Sequence, residues 1–128
     1  MNQTEITNEV SSNYVEFLIY RFPKKNEERM LQVIKKSLDS FRKEDVKYDY
    51  FKLGSTENIP GFTNITKTIS ATPDEEVWMD LLFYRDQKHR DEFVAKMSND
   101  KECQAGYQEF MKLITQASEV VNGEFNRL

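Results

Sequence analysis

The sequence predicts an α+β domain with an antiparallel sheet in the split β-α-β-β-α-β order, and three observations predict it. Four short runs are rich in β-branched and aromatic residues and end near Pro, Gly or polar turns. Apolar residues at helical three-four spacing stand between the first and second runs and between the third and fourth. Within the runs, side-chain chemistry changes between odd and even positions, as it must when alternate residues face opposite sides of a sheet.

Tyr14 to Phe22 (YVEFLIYRF) reads as the first strand, stopped by Pro23. Glu27 to Lys43 follows as an amphipathic helix with Leu31, Ile34, Leu38 and Phe41 on one face. Asn26 is its expected N-cap, and Glu27 and Glu28 suit the positive end of its dipole. Val46 to Leu53 alternates and ends at Gly54, a second strand. Ser55 to Asp74 contains Pro60, Gly61 and Pro73 and reads as a long connection, with an extended piece expected at Phe62 to Ile69. Connections of that length are uncommon in compact domains and are often functional. Glu76 to Tyr84 (EVWMDLLFY) is the clearest strand. Asp86 caps a helix reaching Met97, Asn99 and Asp100 break it, and a further helix is expected from about Glu102 to Ser118. Val120 to Arg127 is the last strand, with Gly123 as its expected bulge. This is the ferredoxin-like order with one extra helix.

A chain of 128 residues suffices for one domain with a true core. Hydrophobic content of 38% and charged content of 31% exclude a disordered or membrane-embedded chain. No apolar run approaches the roughly 18 residues of a membrane span. A net charge of −4 argues against affinity built on neutralising phosphates. Cys103 is the single cysteine, so no internal disulfide or cysteine-rich metal site can form, and a reducing, cytoplasmic location is expected. Residues 1–13 have neither a basic nor an apolar region of a signal peptide and are expected to form a mobile tail ahead of a domain at 14–128.

Splitting the strands by parity gives Val15, Phe17, Ile19 and Arg21 with Val77, Met79, Leu81 and Phe83 on one side, the expected helix-packed core. The other side collects Tyr14, Tyr20, Tyr48, Tyr50, Tyr84 and Trp78, five of the six tyrosines and the only tryptophan. Large amphipathic rings suit a surface that is buried yet keeps polar contacts. The helices can cover one face only, so a second copy, a ligand or RNA is expected against the aromatic one.

Tyr14-Val15-Glu16, Pro23-Lys24-Lys25-Asn26, Glu75-Glu76-Val77, Tyr84, His89-Arg90-Asp91-Glu92 and Gly123-Glu124-Phe125 together resemble the YbaA-like proteins of unknown function, over about residues 14–128. That resemblance implies membership of the dimeric α/β-barrel superfamily, in which ferredoxin-like monomers pair sheet to sheet. It implies a homodimer and no established activity.

Among chemical groups, Glu16 and Asp80 stand out. If the first and third strands pair antiparallel about their centres, the two carboxylates share a face one diagonal step apart, at about 7–8 Å. Acids among aromatics have raised pKa values, which suits a general acid or base. The alternative is that they pair with Arg21, Lys47 or Lys52 or bind hydroxyls across a dimer. His89, the only histidine, lies in the charged run Gln87-Lys88-His89-Arg90-Asp91 and reads first as solvated surface, second as a proton-transfer group. No His or Cys pair exists to begin a metal site, and no Gly-rich loop, P-loop or nucleophile elbow is present, so no metal and no cofactor are expected. Cys103 has no His nearby in sequence and reads as an inert thiol.

RNA-recognition modules share this fold and stack bases on sheet aromatics, but their third strand reads basic-Gly-aromatic-Gly-aromatic. Here Glu76-Val77-Trp78-Met79-Asp80 sets acids where phosphates would lie, which argues against nucleic acid. Three classes result: a ligand-binding or regulatory dimer, ranked first; a cofactor-independent oxygenase or isomerase using Glu16 and Asp80 or His89; and, last, an RNA binder.

Overall fold

The first strand's register fixes everything else. In a computed structural model describing residues 12–128, β1 (Tyr14–Pro23) is central, with β3 (Glu75–Tyr84) and β4 (Val121–Asn126) antiparallel on its two sides. β2 (Lys47–Lys52) pairs with the outer side of β3, giving the order β2-β3-β1-β4. This is the predicted split βαβ sheet. The expected tail lies outside the described residues apart from Ser12 and Asn13, and Asn13 already donates its N–H to the Tyr84 carbonyl (3.0 Å).

A 3-10 turn (Lys24–Asn26) leads from Pro23 into α1 (Glu27–Lys43), with acidic residues in its first turn and Arg42 and Lys43 in its last. Asn26 occupies the N-cap position but makes no capping bond; its amide donates to the Leu113 carbonyl at 3.0 Å. The deepest residues of α1 are Met30 and Ile34, so the buried stripe is turned from the expected one toward Met30. Asp45 takes φ 60° just past the helix, and the N–H groups of Asp45 and Val46 return to Arg42 and Phe41. This paired return closes the helix and drops Val46 into the core before β2.

The connection after β2 holds a one-turn helix, α2 (Ile65–Thr68), where an extended piece was expected. Asn64 decides the outcome. Its side-chain oxygen accepts from the Thr66 N–H, while its amide donates to the carbonyls of Ser55 and Glu57. Asp86 caps α3 (Gln87–Ser98) by accepting from the His89 N–H, and Asp100 caps α4 (Lys101–Leu113) through the Cys103 N–H. α4 ends at Leu113 rather than Ser118. Ile114 turns extended and is buried, and the Thr115 N–H donates to the Arg21 carbonyl of β1.

The parity division of the sheet is real, but its two sides are exchanged relative to expectation. Tyr14, Tyr20, Phe22, Trp78, Leu82 and Tyr84 are buried and form two hydrophobic clusters with the helices. One cluster joins Tyr20, Phe22 and Trp78 to Met30, Ile34, Leu113 and Ile114; the other joins Tyr14, Leu82 and Tyr84 to Val46, Phe93 and Met97. Each fully buried large side chain contributes on the order of 1.5–3 kcal/mol. The opposite face carries Val77 buried, as expected, but Phe17, Ile19, Met79, Leu81 and Phe83 half-buried and Phe51, Val121 and Phe125 exposed. The physical reason is hydrogen bonding. Tyrosine and acid side chains pair with one another beneath the helices, so the polar-looking face can be the inner one.

Gly123 is not a bulge, because β4 runs in unbroken register with β1 and Gly123 lies opposite Phe17. A Cβ there would stand 2.7 Å from the Phe17 ring, which stacks on Phe125 with centroids 5.5 Å apart. Glycine makes room for that ring.

Candidate functional site

The two clusters meet at Leu18, which packs against both. Opposite Leu18 stands Asp80, at the middle of β3, flanked on its other side by Tyr50 of β2. Tyr20 and Tyr48 lie diagonally across from it on the two neighbouring strands. Tyr20 Oη donates to Asp80 Oδ1 at 2.8 Å, and Tyr48 Oη donates to Oδ2 at 2.5 Å. Asp80 is only 2% exposed, and no Lys, Arg or His pairs with it among the described residues. Burial is the main influence on its carboxyl, which is pushed up to about 6; the two tyrosine hydrogen bonds pull the other way without cancelling it. Burial and the adjacent carboxylate raise both phenols, Tyr20 and Tyr48, above their ordinary value, so they remain donors.

Above Asp80 the helices do not close on the sheet. A cavity of about 530 Å³ opens there. Leu18, Tyr48 and Leu82 form its floor with Asp80, Ile34 and Phe41 of α1 one wall, and Gly106, Phe110 and Met111 of α4 another. Its volume is that of a small-molecule site: mostly apolar walls around a few polar groups. An outer groove between α1 and α4 shares Val33, Ser37, Phe41, Cys103 and Gly106 with the cavity, so the two are continuous. Small side chains at Ser37 and Gly106 leave the space between the helices unfilled there. The Cys103 thiol borders both spaces, and burial raises its pKa, which leaves it a thiol of low reactivity.

Glu16 lies one diagonal step from Asp80, as the register expectation required, yet the two carboxylates serve separate networks. Glu16 is held by Arg90 of α3, whose Nε and Nη2 donate to its two oxygens at 3.2 and 3.1 Å. Tyr84 and Asn122 add longer bonds, and Arg90 also pairs with Glu124, which accepts from Tyr14. The partner of Glu16 is thus Arg90, not Arg21, Lys47 or Lys52. Hydrogen bonding to Glu16 raises the Arg90 pKa above its ordinary value, as a close, partly buried pair should.

His89 is 6% exposed rather than solvated. Its Nδ1 accepts from the Arg85 N–H at 3.0 Å and its Nε2 faces the Glu44 carbonyl at 2.8 Å, an arrangement that requires the Nε2–H tautomer. Both ring nitrogens are therefore committed to backbone, and the ring packs edge-on against Tyr84. The geometry joins Asp80, Tyr20 and Tyr48 at one site and leaves Glu16, His89, Tyr14 and Tyr84 in a structural network beside it. Trp78 and Tyr50 stack in the core at 6.5 Å between centroids, with the Trp78 indole N–H donating to Glu76. Arg90, Ser37 and Gly106 escaped the sequence reading; the small residues facing each other on two amphipathic helices were the available signal. Among the described residues no three His, Cys, Asp or Glu side chains gather as metal ligands, and no helix is long and apolar enough to cross a membrane.

The fold is shared with solved structures of low sequence identity. A conserved protein from Methanosarcina mazei Go1 superposes with a TM-score of 0.60 at 11% identity, over 94% of this chain and 98% of that one. A conserved protein of unknown function from Bacteroides thetaiotaomicron VPI-5482, described as a possible oxidoreductase, gives 0.55 at 14% identity over 90% and 98%. A NIPSNAP family protein from Agrobacterium tumefaciens str. C58 gives 0.52 at 16% identity over 90% and 85%. No curated protein matches the sequence significantly. Residues 13–114 match the family described as protein of unknown function (DUF1428), and the chain belongs to that family.

Proposed function

We propose that the protein binds a small, largely apolar molecule in the cavity between the sheet and helices α1 and α4, with Asp80 as its polar anchor. The observation that carries this reading is the buried carboxylate, held among the described residues by two tyrosines and by no cation, at the floor of a cavity of about 530 Å³. A group with those bonds and a pKa near 6 also suits a general base, so a cofactor-independent isomerase or oxygenase acting through Asp80 is the second reading. Titration with the neutral dye Nile red tests the first. Saturable binding is expected, and Gly106→Phe should weaken it at least tenfold without unfolding the protein, because a Cβ at Gly106 meets nothing within 4 Å. An unaltered dye affinity in Gly106→Phe, or no saturable binding by the wild type, would overturn the reading.

The resemblance to YbaA-like proteins and to dimeric α/β barrels belongs to the same proposal. A cytoplasmic homodimer would cover the open sheet face, where Phe17, Met79 and Leu81 stand beside exposed Phe51 and Phe125. Contiguous apolar surface of that kind marks an interaction site. Sedimentation equilibrium at micromolar concentration should give twice the chain mass, and Met79→Lys should give a folded monomer. A wild-type monomer would remove the dimer and leave the cavity untouched.

A further inference from the structure

The inner cavity is selective by charge, and its composition says in which direction. Among the described residues its acidic groups are Asp80 and Glu119, and no Lys, Arg or His borders it. Arg29 and Lys36 stand in the outer groove only, beside Glu102 and Glu109, and Arg29 is already paired with Glu109. Asp80 is 2% exposed and accepts one hydrogen bond on each oxygen, which leaves acceptor sites on a carboxylate able to take about four. A buried carboxylate of this kind lacks the counter-charge that would stabilise it. The rings of Tyr48, Phe41 and Phe110 line the same cavity, with Phe41 and Tyr48 stacked on each other, and aromatic faces attract cations.

We infer that the ligand is a hydrophobic organic cation, an amine whose ammonium group sits on Asp80 while its apolar body fills the space under α1 and α4. This inference rests on the cavity reading above. An ammonium donor completes the Asp80 hydrogen bonds and supplies the missing positive charge. A hydroxyl supplies the bond without the charge. A carboxylate adds a second negative charge beside the first and is rejected.

Three probes of one shape separate these cases: phenylbutylamine, phenylbutanol and phenylbutyrate, titrated calorimetrically at neutral pH. The amine should bind about tenfold more tightly than the alcohol, the difference between charged and neutral hydrogen bonds, and the carboxylate more weakly than either. Asp80→Asn should bring amine and alcohol within about twofold of each other, while Glu119→Gln should keep the preference. If the alcohol equals the amine in the wild type, or the carboxylate binds best, the inference falls and the cavity stands. If none of the three binds, the cavity reading falls with it. Loss of the preference in Glu119→Gln would also overturn the assignment to Asp80. The wild-type ranking decides the matter alone if Asp80→Asn does not fold.

Discussion

Replacing Asp80 by Asn should make the protein more stable at neutral pH and lose that advantage in acid. Burial pushes the Asp80 carboxyl from its ordinary 3.8 up to about 6, so the folded protein holds this proton more tightly than the unfolded chain does. The stability contributed by that proton is complete below the unfolded value and is lost as pH rises through the folded one. Over that interval, at roughly 1.4 kcal/mol per pH unit, the ionised group costs about 3 kcal/mol. For a domain of this size that corresponds to roughly 10 °C in melting temperature. Asn has no such titration. Subtracting variant from wild type cancels the other carboxylates, and urea unfolding of both proteins from acid to neutral pH yields the difference. It should fall by about 3 kcal/mol as pH rises between 3.8 and about 6. A pH-independent difference, or an NMR titration placing the Asp80 carboxyl at or below 3.8, would refute the argument from burial.

Three further outcomes follow from contacts described above. Arg90→Met leaves the Glu16 carboxylate buried without its cation and should cost about 3–5 kcal/mol in urea unfolding, most of it recovered in the double variant with Glu16→Gln; a cost under about 1 kcal/mol would mean that the pair is solvated. Gly123→Ala should cost about 1–3 kcal/mol by crowding the Phe17 ring, and Phe17→Leu in the same chain should relieve it; equal costs in both backgrounds would contradict the close approach. Asn64→Ala removes a cap and two carbonyl contacts and should cost about 1 kcal/mol while speeding amide exchange in residues 55–69. Unchanged exchange there would show that the connection is held by other means.

Strand positions and the sheet order were legible because alternation and turn residues are local signals. The sidedness of the sheet was not, and the reason is specific. Val15, Phe17 and Ile19 are more apolar than Tyr14, Glu16 and Tyr20, so transfer energy alone assigns the first set to the core. What reverses it is pairing across strands and helices: Tyr20 and Tyr48 with Asp80, Arg90 with Glu16. A buried polar side chain is inexpensive once bonded, and no single strand shows whether it will be. His89 was misplaced for the same reason, since its partners are the backbone of Arg85 and of Glu44, the latter far away in sequence. The end of α4 was missed because Ile114 continues the helical spacing by residue type while its side chain is drawn into the core next to Leu113. Asp80 was legible as a candidate, whereas the space above it lies between two helices distant in sequence, whose small residues Ser37 and Gly106 meet around it only in the fold.

The placement of β1 at the centre of the sheet has a kinetic consequence. β1 acquires one neighbour only when residues 75–84 are made and the other only when residues 121–126 are. Both edges of β1 thus wait for distant chain, and such non-local pairing slows folding. Before β4 pairs, the sheet is half-finished, with an open edge from Tyr14 to Ile19 next to an apolar face bearing Phe17. Until that pairing the molecule is open to association with another copy or to capture by a chaperone.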